Sequence, residues 1–184
     1  MNPSSNLFLV GPMGAGKTSV GRRLARQFGM RFVDLDQEIE AASGAPIVLI
    51  FELEGETGFR QRESAALQQF SAEQGMVLAC GGGVVVSADN RQQLRRHGFV
   101  VYLQTQVEHQ IERLRRDTQR PLLASTDRRQ RLQALNEARE PMYQEVADLC
   151  ITPQQEPIRR ACARITEQIN THWQRLPLLD GERT

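Results

Sequence analysis

The sequence predicts an α/β domain in which a five-stranded parallel sheet carries helices on both faces. Three observations carry that expectation. Strand-like runs at Asn6–Val10, Arg31–Asp34, Met76–Cys80, Phe99–Leu103 and Leu149–Thr152 alternate with longer stretches of helical spacing. The runs are nearly continuous in apolar residues instead of alternating, as expected of strands covered on both faces. A glycine-rich turn follows the first run and opens a helix, the strand–loop–helix start of a βα unit.

The elements follow in order. After the glycine-rich turn, Val20, Leu24, Ala25 and Phe28 have helical spacing, and Gly29 is placed to end that helix. Leu35–Ala42 reads as a helix stopping at Ser43-Gly44. Pro46–Leu53 reads as a short helix with Pro46 at its first position, although Ile47–Phe51 alone also suits a strand. Past a turn at Glu54–Glu56, a longer helix carries Phe59, Ala66, Leu67 and Phe70 inward. Ser87 or Asp89 caps a helix running to His97, with Gly98 as its stop. Thr105-Gln106-Val107-Glu108 has the form of a capping box opening a helix over Ile111 and Leu114. A helix from about Asp127 reaches Glu140-Pro141, followed by a short helical turn toward Ala147. Pro157 starts the last helix, with Ile158, Ala161, Cys162, Ile165 and Ile169 on one face. Residues 1–173 then form one domain and 174–184 a flexible tail.

The glycine-rich turn is Gly11-Pro12-Met13-Gly14-Ala15-Gly16-Lys17-Thr18, which fits the phosphate-binding pattern G-x-x-x-x-G-K-S/T without a mismatch. Its glycines let the backbone approach an anion, and the amides from Gly14 to Ser19 at the new helix's start point at the phosphates. Among 23 basic residues Lys17 is the one lysine; all others are arginine. A compact ammonium is therefore required where a planar fork does not serve. A nucleoside triphosphate is expected here, with the Thr18 hydroxyl as the Mg²⁺ ligand.

Bulk properties exclude other classes. A net charge of +1 over 184 residues argues against a polyanion binder, so no nucleic acid is expected as a partner. No apolar run approaches the ~20 residues needed to span a bilayer, and the first six residues lack the regions of a signal peptide. Cys80, Cys150 and Cys162 are odd in number and widely spaced, and read as small buried apolar residues of a reducing compartment. A cytoplasmic, monomeric protein is expected.

In parallel sheets ligands gather past the carboxyl ends of the strands. There the chain places Asp34-Leu35-Asp36, two carboxylates able to face the phosphate loop, one for the metal's water shell and one to receive a hydroxyl proton. Gly81-Gly82-Gly83 permits an approach so close that backbone amides become donors. By type alone Arg60 and Arg139 read as solvated surface, yet each sits where a helix could aim it at a substrate carboxylate. The charged stretch 115–125, with Arg120, lacks periodicity and reads as a surface loop or a lid over the phosphates.

Taken together, Gly11–Thr18, Asp34-x-Asp36, Gly58-Phe59-Arg60 with Glu63, Gly81–Gly83, Arg120-Pro121-Leu122-Leu123 and Arg139-x-Pro141-x-Tyr143 closely resemble the shikimate kinase family, from Leu7 to Ile169. The resemblance implies a P-loop fold of the nucleoside monophosphate kinase kind, with a lid at about 114–126 and substrate-binding helices at about 35–63. It implies Mg²⁺-dependent transfer of the ATP γ-phosphate to the 3-hydroxyl of shikimate, on the route to chorismate and the aromatic amino acids. Lys17 and the loop amides then hold phosphates, Thr18 the Mg²⁺, and Asp34 supports the metal through water. Asp36 orients the attacking hydroxyl as base. Arg60 and Arg139 clamp the carboxylate, Gly82 adds an amide between Gly81 and Gly83, Arg120 meets the transferring phosphoryl, and Arg113 lies near adenine. The chain departs from the family at Thr152–Glu156, which leaves adenine contacts there open.

Two alternatives share the phosphate loop. A kinase of another polyhydroxy acid such as gluconate need not combine Arg60, Gly81–Gly83 and Arg139. A nucleotide-dependent regulatory protein reading guanine through Asn-Lys-x-Asp is incompatible with a chain whose one lysine is Lys17.

Overall fold

A computed structural model describes residues 4–115, 127–152, 154 and 156–177 of the chain. Five parallel strands, β1 (Leu7–Val10), β2 (Arg31–Asp34), β3 (Met76–Ala79), β4 (Phe99–Leu103) and β5 (Leu149–Ile151), pair in the order β2-β3-β1-β4-β5. The sheet reverses direction of growth between β3-β1 and β4, so the glycine-rich turn after β1 opens at the centre, where a crevice forms. The expected parallel α/β architecture is observed.

Period-two alternation distributes β1 between two cores. Leu7 and Leu9 face α1 (Lys17–Phe28) and α7 (Ile158–His172), packing with Leu24, Val101 and Ile165. Phe8 and Val10 face the other side, where α2 (Leu35–Ser43), α3 (Ile47–Ser71), α4 (Ala88–His97) and α6 (Arg128–Val146) supply Ile39, Leu67, Leu94 and Tyr143. Both cores are closed, so truncating a residue such as Leu24 to alanine costs about 2–5 kcal/mol. A small third cluster of Met13, Leu114 and Leu132 sits under α5 (Val107–Arg113) and α6.

Several sequence expectations change in detail. β1 begins at Leu7, because Asn6 is a buried bracket: its amide donates to Glu73 O and accepts from Met76 N. The break expected at 54–56 is present: α3 is two helical stretches meeting at a kink at Gly55, whose φ of 70° and ψ of −175° no helical residue adopts. Pro46 stands one position earlier than expected, as the cap before Ile47. The capping box at Thr105–Glu108 is not formed; Gln106 is the cap residue, and Thr105 Oγ1 is buried without a partner among the described residues. α6 passes through Pro141 without ending, held by tertiary contacts on either side of the proline. Cys150 is exposed on the edge strand, whereas Cys80 and Cys162 are buried as expected. The tail is anchored at its near end: Trp173 Nε1 and Leu176 N both donate to Ser4 O at 3.1 Å, and Arg175 bridges to Ser4. Ser87 does cap α4, and Asp127 caps α6.

Candidate functional site

The turn after β1 is wound tightly against the sheet. Gly11 has a φ of 139°, and a side chain there would collide with the Leu103 carbonyl at the end of β4. From this turn Lys17 Nζ donates to the carbonyls of Gly11 and Pro12 at 2.7 and 2.9 Å, folding the ammonium over its own loop. The loop's cavity, about 320 Å³, is lined by Lys17, Thr18, Ser19, Gly14 and Gly16 together with Asp34, Asp36 and Gly82. Thr18 Oγ1 donates to Asp34 Oδ2 at 2.7 Å, which joins the start of α1 to the end of β2.

Arg113, at the last turn of α5, donates from Nη1 to Gly14 O at 2.8 Å and lines this cavity. It also lines a neighbouring cavity of about 540 Å³, bounded by Ala15, Gln104, Thr152 and Ile158. The residue therefore stands between an anion-binding loop and a roomier pocket of mixed polarity. Beside that pocket, Arg164 Nε and Nη2 both donate to Glu156 Oε1, at 2.9 and 2.7 Å.

On the other side of the cavity, the turn after β3 is shaped by what its glycines admit. A Cβ on Gly81 would collide with Glu63 Oε1 and lie 2.8 Å from Asp36 Oδ1; one on Gly83 would collide with the Arg60 guanidinium. Gly82 rests against the Met13 amide of the first loop. Three successive missing side chains thus let two carboxylates, a guanidinium and the phosphate loop converge. The three carbonyls are engaged: Gly81 O accepts from Val84 N, Gly83 O from Val86 N, and Gly82 O from both Arg139 Nη1 at 3.2 Å and the Tyr143 hydroxyl.

Arg60 and Arg139 are not solvated surface. Arg139 is 7% exposed, and Arg60 pairs with Glu63 at 2.6 Å and Glu56 at 3.0 Å. Burial works against charge on Arg60, but Glu63 and then Glu56 outweigh it, so its pKa is raised further. Glu63 is fully buried; burial pushes its carboxyl above the usual range, Arg60 opposes that, and Asp36 adds to it. One Glu63 oxygen, Oε1, has no hydrogen-bond partner among the described residues.

The fold thus gathers Gly14, Ala15, Gly16, Lys17, Thr18, Ser19, Asp34, Asp36, Arg60, Gly81, Gly82, Gly83, Arg113 and Arg139 around one crevice. Arg120 and the expected lid beyond residue 115 lie outside the described residues. The contacts of Glu63 with Arg60 and of Tyr143 with Gly82 were not assigned from the sequence, where both residues appear only as matched positions of the resemblance. The usable signals were their spacings, three residues after Arg60 and four after Arg139, which put each pair on one helical face.

Chemically, the crevice offers a phosphate cradle with a hydroxyl–carboxylate pair at its rim. Across from it lies a carboxylate beside two arginines and glycine amides. That division suits phosphoryl transfer to a small, negatively charged alcohol.

Comparison with known proteins agrees. A model of the shikimate kinase family matches residues 13–170. The chain is 49% identical over 178 residues to the shikimate kinase of Stenotrophomonas maltophilia, covering 97% of this chain and 99% of that one. It is 53% identical over 152 residues to the shikimate kinase of Bordetella pertussis, covering 83% and 72%. It superposes on the structure of shikimate kinase from Acinetobacter baumannii in complex with shikimate with a TM-score of 0.89 and 46% identity, over 92% and 95% of the two chains. A deoxyadenosine kinase from M. mycoides, at 13% identity and a TM-score of 0.59, shares the fold.

Proposed function

The chain belongs to the shikimate kinase family, and from that premise we infer that it phosphorylates shikimate with ATP, serving chorismate and aromatic amino acid synthesis. The observation that carries this reading is the meeting of the phosphate loop, Asp36, and the Arg60–Gly82–Arg139 corner in one crevice.

The roles follow from position. Lys17 and the amides from Gly14 to Ser19 hold the β- and γ-phosphates, where a point charge and a helix N-terminus favour them. The Lys17 ammonium, now on Gly11 O and Pro12 O, exchanges those acceptors for phosphate oxygens. Arg60 and Arg139 hold the shikimate carboxylate, with amide support from Gly81–Gly83, so that its 3-hydroxyl reaches Asp36. Asp36 takes the hydroxyl proton as the oxygen attacks the γ-phosphorus and the bond to the β-phosphate oxygen breaks, releasing ADP. Arg113 lies beside adenine, between the two cavities it lines. Arg120, from the lid, meets the charge on the transferring phosphoryl.

The pair Thr18 Oγ1 and Asp34 Oδ2, hard oxygens at the rim of the phosphate cavity, fits magnesium held through one hydroxyl and a water-bridged carboxylate. No cluster of three metal-ligating side chains exists among the described residues. Magnesium bound there neutralises phosphate charge. No described helix is long and apolar enough to cross a membrane; we read the protein as a cytoplasmic monomer.

The test is a coupled assay of ADP release. Turnover requiring both shikimate and Mg²⁺ is expected. Equal rates with gluconate, or no turnover with shikimate, overturn the reading.

A further inference from the structure

Tyr143 is buried, sits one helical turn after Arg139 on α6, and donates its hydroxyl to the same acceptor, the Gly82 carbonyl. Burial holds the phenol well above its usual pKa, so the hydroxyl acts as a donor throughout the neutral range. Its ring stacks on Tyr102, centroids 4.9 Å apart, and Tyr102 in turn donates to Glu140. Two donors on one buried carbonyl are redundant as long as Arg139 stays on it. They are no longer so once Arg139 turns its guanidinium to a substrate carboxylate, because the Gly82 carbonyl then keeps Tyr143 alone.

We propose that Tyr143 is a positioning residue for acceptor binding: it retains the Gly82 carbonyl, and with it the Gly81–Gly83 backbone, when Arg139 is drawn onto the carboxylate. The inference rests on the reading that Arg139 binds that carboxylate. Without the hydroxyl, Arg139 must choose between a buried carbonyl and the substrate, and an unsatisfied buried group opposes binding. The cost falls on acceptor affinity before ATP, because both donors to the Gly82 carbonyl, Arg139 and Tyr143, come from α6, while the phosphate loop meets Gly82 only through van der Waals contact at Met13.

Tyr143→Phe is compared with Tyr102→Phe, which removes the other hydroxyl of the stack and leaves Gly82 O untouched. Loss of one neutral hydrogen bond predicts a KM for shikimate about five-fold higher in Tyr143→Phe, with the KM for ATP unchanged. Shikimate methyl ester draws Arg139 weakly, so the variant-to-wild-type KM ratio for the ester stays near one. Tyr102→Phe leaves both KM values as in the parent. Equal rises for ATP and shikimate, the same rise with the ester, or the same pattern in Tyr102→Phe overturns the proposal. If wild-type protein turns over no shikimate, it is the parent reading that fails.

The chain has two tyrosines, so 3-fluorotyrosine in a Tyr102→Phe background labels Tyr143 alone and serves if Tyr143→Phe does not fold. Its ¹⁹F resonance is expected to move on adding shikimate and to move much less with the ester. Equal movement with both, or none with shikimate, counts against the proposal.

Discussion

Replacing Arg60 by methionine keeps the aliphatic stem over Phe59, whose ring lies 5.3 Å from the guanidinium, and removes the charge. Glu63, fully buried, then loses the partner that holds its Oε2 at 2.6 Å, while its Oε1 already has none among the described residues. Removing one member of a buried ion pair costs about 3–5 kcal/mol. Here Arg60 keeps 21% of its side chain exposed and Glu63 is able to take up a proton, which lowers the expected loss to about 2–3 kcal/mol at pH 8. In a chain of this length that corresponds to a fall in Tm of roughly 5–10 °C.

The pH dependence has a definite sign. The Glu63 carboxyl is raised in the folded state, by burial first and Asp36 later, with Arg60 opposing. A raised carboxyl makes the folded state bind the proton more tightly. Its contribution is therefore most favourable below the unfolded pKa, near about 4.3, and declines as pH rises through the folded value. Arg60→Met raises that folded value further, so the deficit is small at pH 5 and largest at pH 8. Thermal and urea unfolding of wild type, Arg60→Met, Glu63→Gln and the double variant at both pH values measures this. The double variant is expected to recover most of the stability lost in Arg60→Met, while its KM for shikimate stays high. A deficit equal at pH 5 and pH 8, or a double variant no more stable than Arg60→Met, refutes the reasoning.

Three further outcomes follow from the crevice. Lys17→Arg lowers kcat by about 10²-fold or more, because the planar fork does not reproduce a point charge folded over Gly11 O and Pro12 O; near-normal steady-state kinetics contradict this. Asp36→Asn lowers kcat by about 10²–10⁴-fold while the Kd for ATP, measured by calorimetry, stays close to wild type; a collapse of ATP affinity instead assigns Asp36 to the metal. Gly81→Ala places a methyl against Glu63 Oε1 and Asp36 Oδ1, destabilising by about 1–3 kcal/mol and lowering kcat, and a melt and rate unchanged from wild type count against that packing.

What the sequence determined by itself is local. The five strands, the phosphate loop with its lysine, the Gly55 bend as a break in the helical pattern, Ser87 as one of two candidate caps and the helix start near Asp127 are written in spacings of a few residues. So are the strand-end positions of Asp34, Asp36 and Gly81–Gly83, because parallel βα units put their loops at one edge of the sheet. The capping box at Thr105 and the break at Pro141 were local signals too, and they failed because packing around α5 and α6 overrode them. What only the tertiary structure decided is which distant groups share a neighbour. Gly81 touches Glu63 and Asp36, Gly83 touches Arg60, and Gly82 is held by Arg139 and Tyr143, pairs separated by 18 to 61 positions in the chain. Side-chain periodicity carries no record of such distances. They are set where helices cross a sheet, and it is there that two arginines indistinguishable by type from twenty others are brought to the Gly81–Gly83 turn, Arg139 buried and Arg60 partly so.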